Sequence, residues 1–395
     1  MKKSLTILTL LAATPPLFAM EVYKNGDNSV NVYGSIRGLM GFFQRNELDE
    51  KSPTNTFFTI QPNSRIGTKV NYENAFATLE LGLDAVKGAV KVRHLFGGYN
   101  FGDAGYFLVG HTGTVNDAGW NDDIGFGNNG AFGFGSVSGV RLFQLTYYVK
   151  GFSASLVKND FDKNNDLFSS TINIVPKAFN ISIPRLVLAY EYLGDAFQTK
   201  VGATYGTATY TEKDGGTPLP VNVYKFDFAA QYNYSAGYVL GLLGYGANGE
   251  LIGEQWTPTF EGVNGLGSDR FLAKELPRKN GRGGFLDVYR ATVLLETGYN
   301  VTDNVKAILG AGYQHSWTEE SWNAANNKMY TKSYSAYLQF KYKANPYLTV
   351  IPQVGYYGLD GRDYNNNNTD TNQDGGTSKV YEHAITATLQ LRVDF

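Results

Sequence analysis

The chain has 395 residues and no cysteine, so it holds neither a disulfide framework nor a thiolate metal site. A chain without thiols suits an oxidising compartment. Charge is also scarce. Only 18% of residues are charged, low for a soluble domain of this length. The 34 basic and 36 acidic residues balance to −2, and no basic stripe is present, which argues against a nucleic-acid partner. Past residue 19 no run of 18 apolar residues occurs, which excludes a helical membrane protein. A β-barrel is not excluded, because its strands need an apolar residue only at every second position. Histidine is rare: His94, His111, His315 and His383 are the only four, and no serine motif stands beside any of them. A hydrolase needs a nucleophile, a base and an orienting acid within reach, so that alternative is weak. No cofactor motif is found.

What the chain does hold is glycine and aromatic side chains: 46 Gly, 28 Tyr and 25 Phe. Such a mixture predicts many strands with turns and aromatic belts. The start is different. Lys2 and Lys3 precede the short apolar run Leu5 to Ala13, then Pro15, Pro16 and Leu17-Phe18-Ala19. Residues 1–19 therefore read as a secretory signal peptide, too short to span a membrane. Loss of its two lysines changes the balance to 32 − 36 = −4. Residues 20–395 read as one domain.

Alternation is the main signal. In Tyr224 to Tyr234, one face carries Tyr224, Phe226, Phe228, Tyr232 and Tyr234, and the other Lys225, Asp227, Gln231 and Asn233. In 334–343, Leu338 and Phe340 lie opposite Tyr337, Gln339 and Lys341. Period-2 patterning means strands with one apolar and one polar face. Sixteen such strands are predicted, at 29–44, 56–73, 75–86, 89–101, 104–112, 137–149, 151–159, 184–193, 197–210, 222–235, 237–247, 287–300, 304–317, 331–344, 347–358 and 381–395. Many reach ten residues, the length a tilted membrane strand needs. Short joints such as Glu73-Asn74, Lys150-Gly151 and Ser235-Ala236 alternate with long polar ones, with a tight exception at Val86-Lys87-Gly88. The fold class is thus all-β: a transmembrane antiparallel barrel of 16 strands, with short periplasmic turns and long external loops.

Several segments resemble the Gram-negative general diffusion porins. They are Glu21-Val22-Tyr23 through Val32-Tyr33-Gly34-Ser35-Ile36-Arg37-Gly38, then Ser64-Arg65-Ile66-Gly67, and Arg93-His94-Leu95-Phe96-Gly97-Gly98-Tyr99-Asn100-Phe101-Gly102 followed by Gly105 to His111. The final strand adds Leu391, Val393 and Phe395 on one face, like the C-terminal assembly signal of outer-membrane barrels. The middle of the chain matches only by pattern.

The resemblance implies a water-filled pore for small hydrophilic solutes and ions in the bacterial outer membrane, in contact with lipid and lipopolysaccharide. It implies a homotrimer inserted by the barrel assembly machinery, with no cofactor. It also implies that the third long loop, 113–136, folds inward. Its Asp117, Asp122 and Asp123 would then face basic wall residues Arg37, Arg65, His111 and Arg141, and opposed charges at a constriction would set ion preference. Lys69 and Arg93 would be further lumen-facing residues. The loop lacks the family's Glu followed by a Gly pair, and His111 stands where the family commonly has Arg. By alternation His111 falls with Phe107 and Val109, and Arg141 with Phe143 and Leu145, on the outer row.

Two other features remain. Asp370-x-Asn372-x-Asp374-Gly375 resembles the front of a calcium loop, but its twelfth position is Tyr381, and a solvated loop is the simpler reading. A sugar-specific channel would need an aromatic track; Trp120 and Tyr337 qualify by position, yet no repeating track is visible. A structural or adhesive barrel is a further alternative.

Overall fold

The computed structural model describes residues 19–47, 50–51, 54–61, 63–84, 89–118, 120–124, 141–159, 179–180, 183–210, 219–249, 278–279, 285–318, 330–364 and 377–395. The expected signal peptide, the joint at 86–88 and the calcium-like loop lie outside these residues.

The strands close into one antiparallel barrel. They are β1 (Asn28–Glu47), β2 (Asn55–Ile60 and Arg65–Tyr72, with Glu50–Lys51), β3 (Ala75–Asp84), β4 (Ala89–Asn100), β5 (Tyr106–Gly113), β6 (Arg141–Val149), β7 (Phe152–Val157) and β8 (Arg185–Leu193, with Phe179–Asn180). The second half comprises β9 (Phe197–Tyr210), β10 (Leu219–Tyr234), β11 (Gly237–Ala247), β12 (Val288–Asn300), β13 (Val305–Thr318), β14 (Tyr330–Lys343), β15 (Leu348–Tyr364) and β16 (Thr377–Asp394). Each pairs with the next, and β1 pairs with β16 from Ser35↔Asp394 to Glu47↔Glu382. Closure leaves no edge. In hydrocarbon each unpaired backbone group costs several kcal/mol, so a spanning sheet has to close.

Alternation decides which side each residue takes. Leu188, Val201, Phe226, Leu243, Leu295, Leu309, Leu338, Val354 and Ile385 are exposed outside. Gln144, Thr146, Thr204, Gln314, Gln339, Thr388 and Gln390 are buried inside. An apolar exterior round a polar interior is the reverse of a soluble domain and suits lipid. Leu391, Val393 and Phe395 all point outward at the end of β16.

A short strand, Met20–Asn25, hairpins onto β1 through Gly26, whose φ of 61° suits glycine. It continues the track that β16 leaves at Phe395, which pairs with Gly34.

Two irregularities interrupt the wall. In β2 the register passes from Gly38↔Ile60 to Ser35↔Arg65, a shift of two residues opposite Ile36 and Arg37. There the Gln61 N–H donates to the Arg37 carbonyl (2.8 Å), and the Arg37 N–H donates to Ser64 Oγ (2.9 Å). In β4, Glu80 of β3 pairs with His94 while Leu81 pairs with Val92, which leaves Arg93 as the extra residue. Bulges re-aim side chains. Here Arg93 and His94, adjacent in sequence, both turn to Glu80.

Candidate functional site

The inner wall of β1 to β6 gathers basic side chains round one carboxylate. Glu80 accepts from Arg93 Nε (2.7 Å) and lies 3.6 Å from Arg65 Nε and 3.8 Å from His94 Nε2. Tyr33 Oη donates to the same carboxylate at 3.0 Å. Tyr33, Gly67 and Glu80 are one rung across three strands. The ring of Tyr33 lies over Gly67, where a Cβ would come within 2.5 Å of it. Arg37 Nε donates to Ser35 Oγ (3.1 Å), and Arg37 pairs in register with Arg392. Lys69 stands 5.4 Å from the centre of the Tyr33 ring. Arg141, at the very start of β6, reaches His94 Nε2 at 3.4 Å, and His94 Nδ1 lies 2.8 Å from Thr112 Oγ1.

Residues 114–118 and 120–124 run inside the barrel, from β6 to β8 at one end, past β10 to β12, to β15 and β1 at the other. Three apolar sockets hold them. Val115 packs with Leu142, Val157, Val187 and Ala189. Ala118 sits on Ala229, Leu240, Leu242 and Leu294, with Trp120 against the same cluster. Ile124 meets Leu39 and Ile351. Polar ties lie between the sockets. Asn116 Nδ2 donates to Asp227 (2.8 Å) and Thr204 (3.2 Å), over Gly202, where a Cβ would meet the Asn116 Cβ at 2.6 Å. Gln339 Nε2 donates to the Asp122 carbonyl (2.9 Å), and Gln61 Nε2 to that of Ile124 (3.3 Å).

The carboxylates of this segment take part in the anchoring. Asp122 accepts from Lys341 Nζ at 2.5 Å and from Tyr238 Oη at 3.3 Å, while its own N–H donates to Glu296 (2.9 Å). Burial by itself would push the Asp122 carboxyl up. The Lys341 ammonium, with Lys306 and Arg392 beyond it, outweighs burial and holds the carboxyl below its ordinary value. Asp123 is only 2% exposed, with Gln353 Nε2 at 2.7 Å and Tyr357 Oη at 3.3 Å. Glu296 also receives the hydroxyls of Tyr238 and Tyr337. Tyr337, Gly310 and Glu296 repeat the rung of Tyr33, Gly67 and Glu80: same residue types, adjacent strands, paired positions.

The expected site residues therefore fall into two groups. Arg37, Arg65, Lys69, Arg93 and Arg141 gather on one wall. Asp122 and Asp123 do not face them: Asp122 is paired to β14, and Asp123 is buried against β15. Asp117 lies beside Gly113, its Oδ2 3.6 Å from where a Cβ would stand. His111 requires correction. It pairs with Leu95 and Phe143, 55% and 47% exposed on the lipid side, so it belongs to the outward row. His94 occupies the wall instead. Alternation alone missed it, because the bulge at Arg93 shifts the phase of β4. Lys341, Glu296, Tyr238, Gln353 and Tyr357 were also missed as loop partners; their only signal was an inward position on their strands.

No protein-family model and no curated protein matches the chain. Solved structures do. The outer-membrane channel DcaP of Acinetobacter baumannii superposes with a TM-score of 0.65 at 15% identity, over 95% of this chain and all of that one. An anion-selective porin from Comamonas acidovorans gives 0.55 at 14%, over 93% and 100%. Salmonella typhi OmpF in complex with daunomycin gives 0.52 at 14%, over 94% and 100%. The chain has the outer-membrane porin fold. The loop between β5 and β6 is the third on the long-loop side of the barrel.

Proposed function

We propose that this protein is a passive diffusion pore for small hydrophilic solutes and ions. One observation carries the reading: a closed barrel of sixteen strands with a polar lining encloses the strapped segment 114–124 of its third loop. Barrels of this strand number leave an aqueous channel. The strap narrows the lumen, and the basic side chains of Arg37, Arg65, Lys69, Arg93 and Arg141 line the path beside it. No catalytic step belongs to this reading. The outward row Leu391, Val393 and Phe395 is the surface we assign to the barrel assembly machinery, and lipid and lipopolysaccharide surround the exterior. A homotrimer fits the same reading, since OmpT of Vibrio cholerae, with the same fold, has a trimer form.

The test is conductance of the purified, folded protein in planar bilayers, beside swelling of liposomes in small sugars. Stepwise ohmic currents with no saturating block by any one sugar are expected. A folded barrel that inserts and passes no current would overturn the proposal; tight block by one sugar would replace it with a specific channel.

A further inference from the structure

Charge on the two inner walls is not balanced in the same way. On the wall of β12 to β15, Arg290, Lys306, Lys341 and Lys343 stand with Glu296, Asp122 and Asp123, four cations for three carboxylates, a net of 4 − 3 = +1. Among the described residues, six cations group about Glu80 and Arg37 on the wall from β16 round to β6: Arg37, Arg65, Lys69, Arg93, Arg141 and Arg392, with Lys91 farther along the same inward row. Its carboxylates are Glu80 and Asp394, with Asp117 the third. Six minus three leaves +3 with His94 neutral. The remaining stretch of the third loop adds nothing to this count, because residues 125–140 include no Asp, Glu, Lys, Arg or His. The acids that would have offset the wall are Asp122 and Asp123, and both are bonded to other strands, Asp122 to β12 and β14 and Asp123 to β15; of the six cations, Arg392 acts on Asp122.

We infer that the pore prefers anions, and among them oxyanions of the carboxylate and phosphate type. The inference rests on the diffusion-pore reading and adds a sign and a solute class to it. Five of the six cations are guanidinium groups, whose planar fork matches a carboxylate or phosphate edge with two parallel hydrogen bonds. Arg37 is close enough to feel Arg65, Arg93 and Arg392 at once, so an entering anion meets several of them together. A net +3 acting over roughly 8 Å in water at 0.1 M salt favours univalent anions over cations by about tenfold.

The experiment is the reversal potential of the purified wild-type protein in a KCl gradient, repeated with Arg37→Gln/Lys69→Gln. A chloride-to-potassium permeability ratio of about ten is expected at 0.1 M salt, falling toward unity at 1 M, where the screening length shrinks to about 3 Å. The double variant should lose most of the preference. Inorganic phosphate should reduce the chloride current of the wild type and have less effect on the variant. A conducting channel with a ratio at or below one overturns the inference and leaves the pore reading intact. No conductance at all strikes the pore reading instead. An anion preference that the double variant and high salt both leave unchanged removes the wall as its source. If the variant fails to fold, the salt dependence of the wild type decides alone.

Discussion

The pair Asp122–Lys341 gives a measurable quantity: how firmly the strap is held. Lys341→Gln leaves a carboxylate beside Glu296, to which the Asp122 N–H is already bonded, with Tyr238 as its remaining side-chain donor. Both partners are mostly shielded from water, at 17% and 32% side-chain exposure. Loss of the cation should cost about 1–2 kcal/mol, in the range for stranding a hydrogen-bonded charge that is still partly solvated. That is about a 5- to 30-fold increase in the population with the strap undocked. The absence of cysteine makes this readable. Ala118 is 1% exposed in its socket, so a single Ala118→Cys thiol is alkylated only when the strap leaves the wall. Its maleimide rate should rise by that factor in Lys341→Gln and fall most of the way back when Asp122→Asn is added, a coupling of about 1 kcal/mol. A double variant as fast as Lys341→Gln alone would refute the reasoning. The pH dependence has a definite sign. The Asp122 carboxyl titrates lower when docked than when free, so its contribution is complete above the free value and is lost as pH falls through the docked one. In Lys341→Gln burial pushes upward against less opposition, and the acid release should move to higher pH.

Two further outcomes follow from the wall. Arg141→Gln should weaken anion preference in reversal-potential measurements, whereas His111→Gln, on the lipid-facing row, should leave it unaltered. Gly67→Ala puts a Cβ 2.5 Å from the Tyr33 ring and 2.9 Å from the Leu79 carbonyl, and should destabilise the barrel by about 1–3 kcal/mol, seen as a lower unfolding temperature on semi-native gels.

Much of the barrel was legible because lipid imposes a simple rule on each strand. Val201, Leu309 and Leu338 mark their outer rows unmistakably, and the strand bounds follow within a few residues. The wall was legible only in part, for a physical reason: alternation assumes an unbroken pleat. The register shift between Ile60 and Arg65 and the extra residue Arg93 break it, and both lie where the basic cluster forms. Thus His94 was overlooked. His111 was set on the wall by the family resemblance, against the alternation that put it on the outer row. The carboxylates were misjudged differently. Sequence types Asp122 and Asp123 as acids of an inward loop but does not say what they touch. Their partners Lys341 and Gln353 come from strands more than 200 positions later in the chain. The sockets were hidden as well, since Leu240, Leu242 and Ile351 contradict the expectation of a uniformly polar lining.

The repeated rung has a mechanical side. A tyrosine bridges a glycine to grip a glutamate two strands away, so three staves are riveted together by side chains as well as by their backbone ladders. Tyr33–Glu80 makes one rivet and Tyr337–Glu296 the other. Each resists shear of the middle strand, and together they oppose flattening of the cylinder into an ellipse. The glycines are accordingly seats and not gaps. Their smallness sets the fit of the whole hoop, so tyrosine, glycine and glutamate are replaceable only as a set.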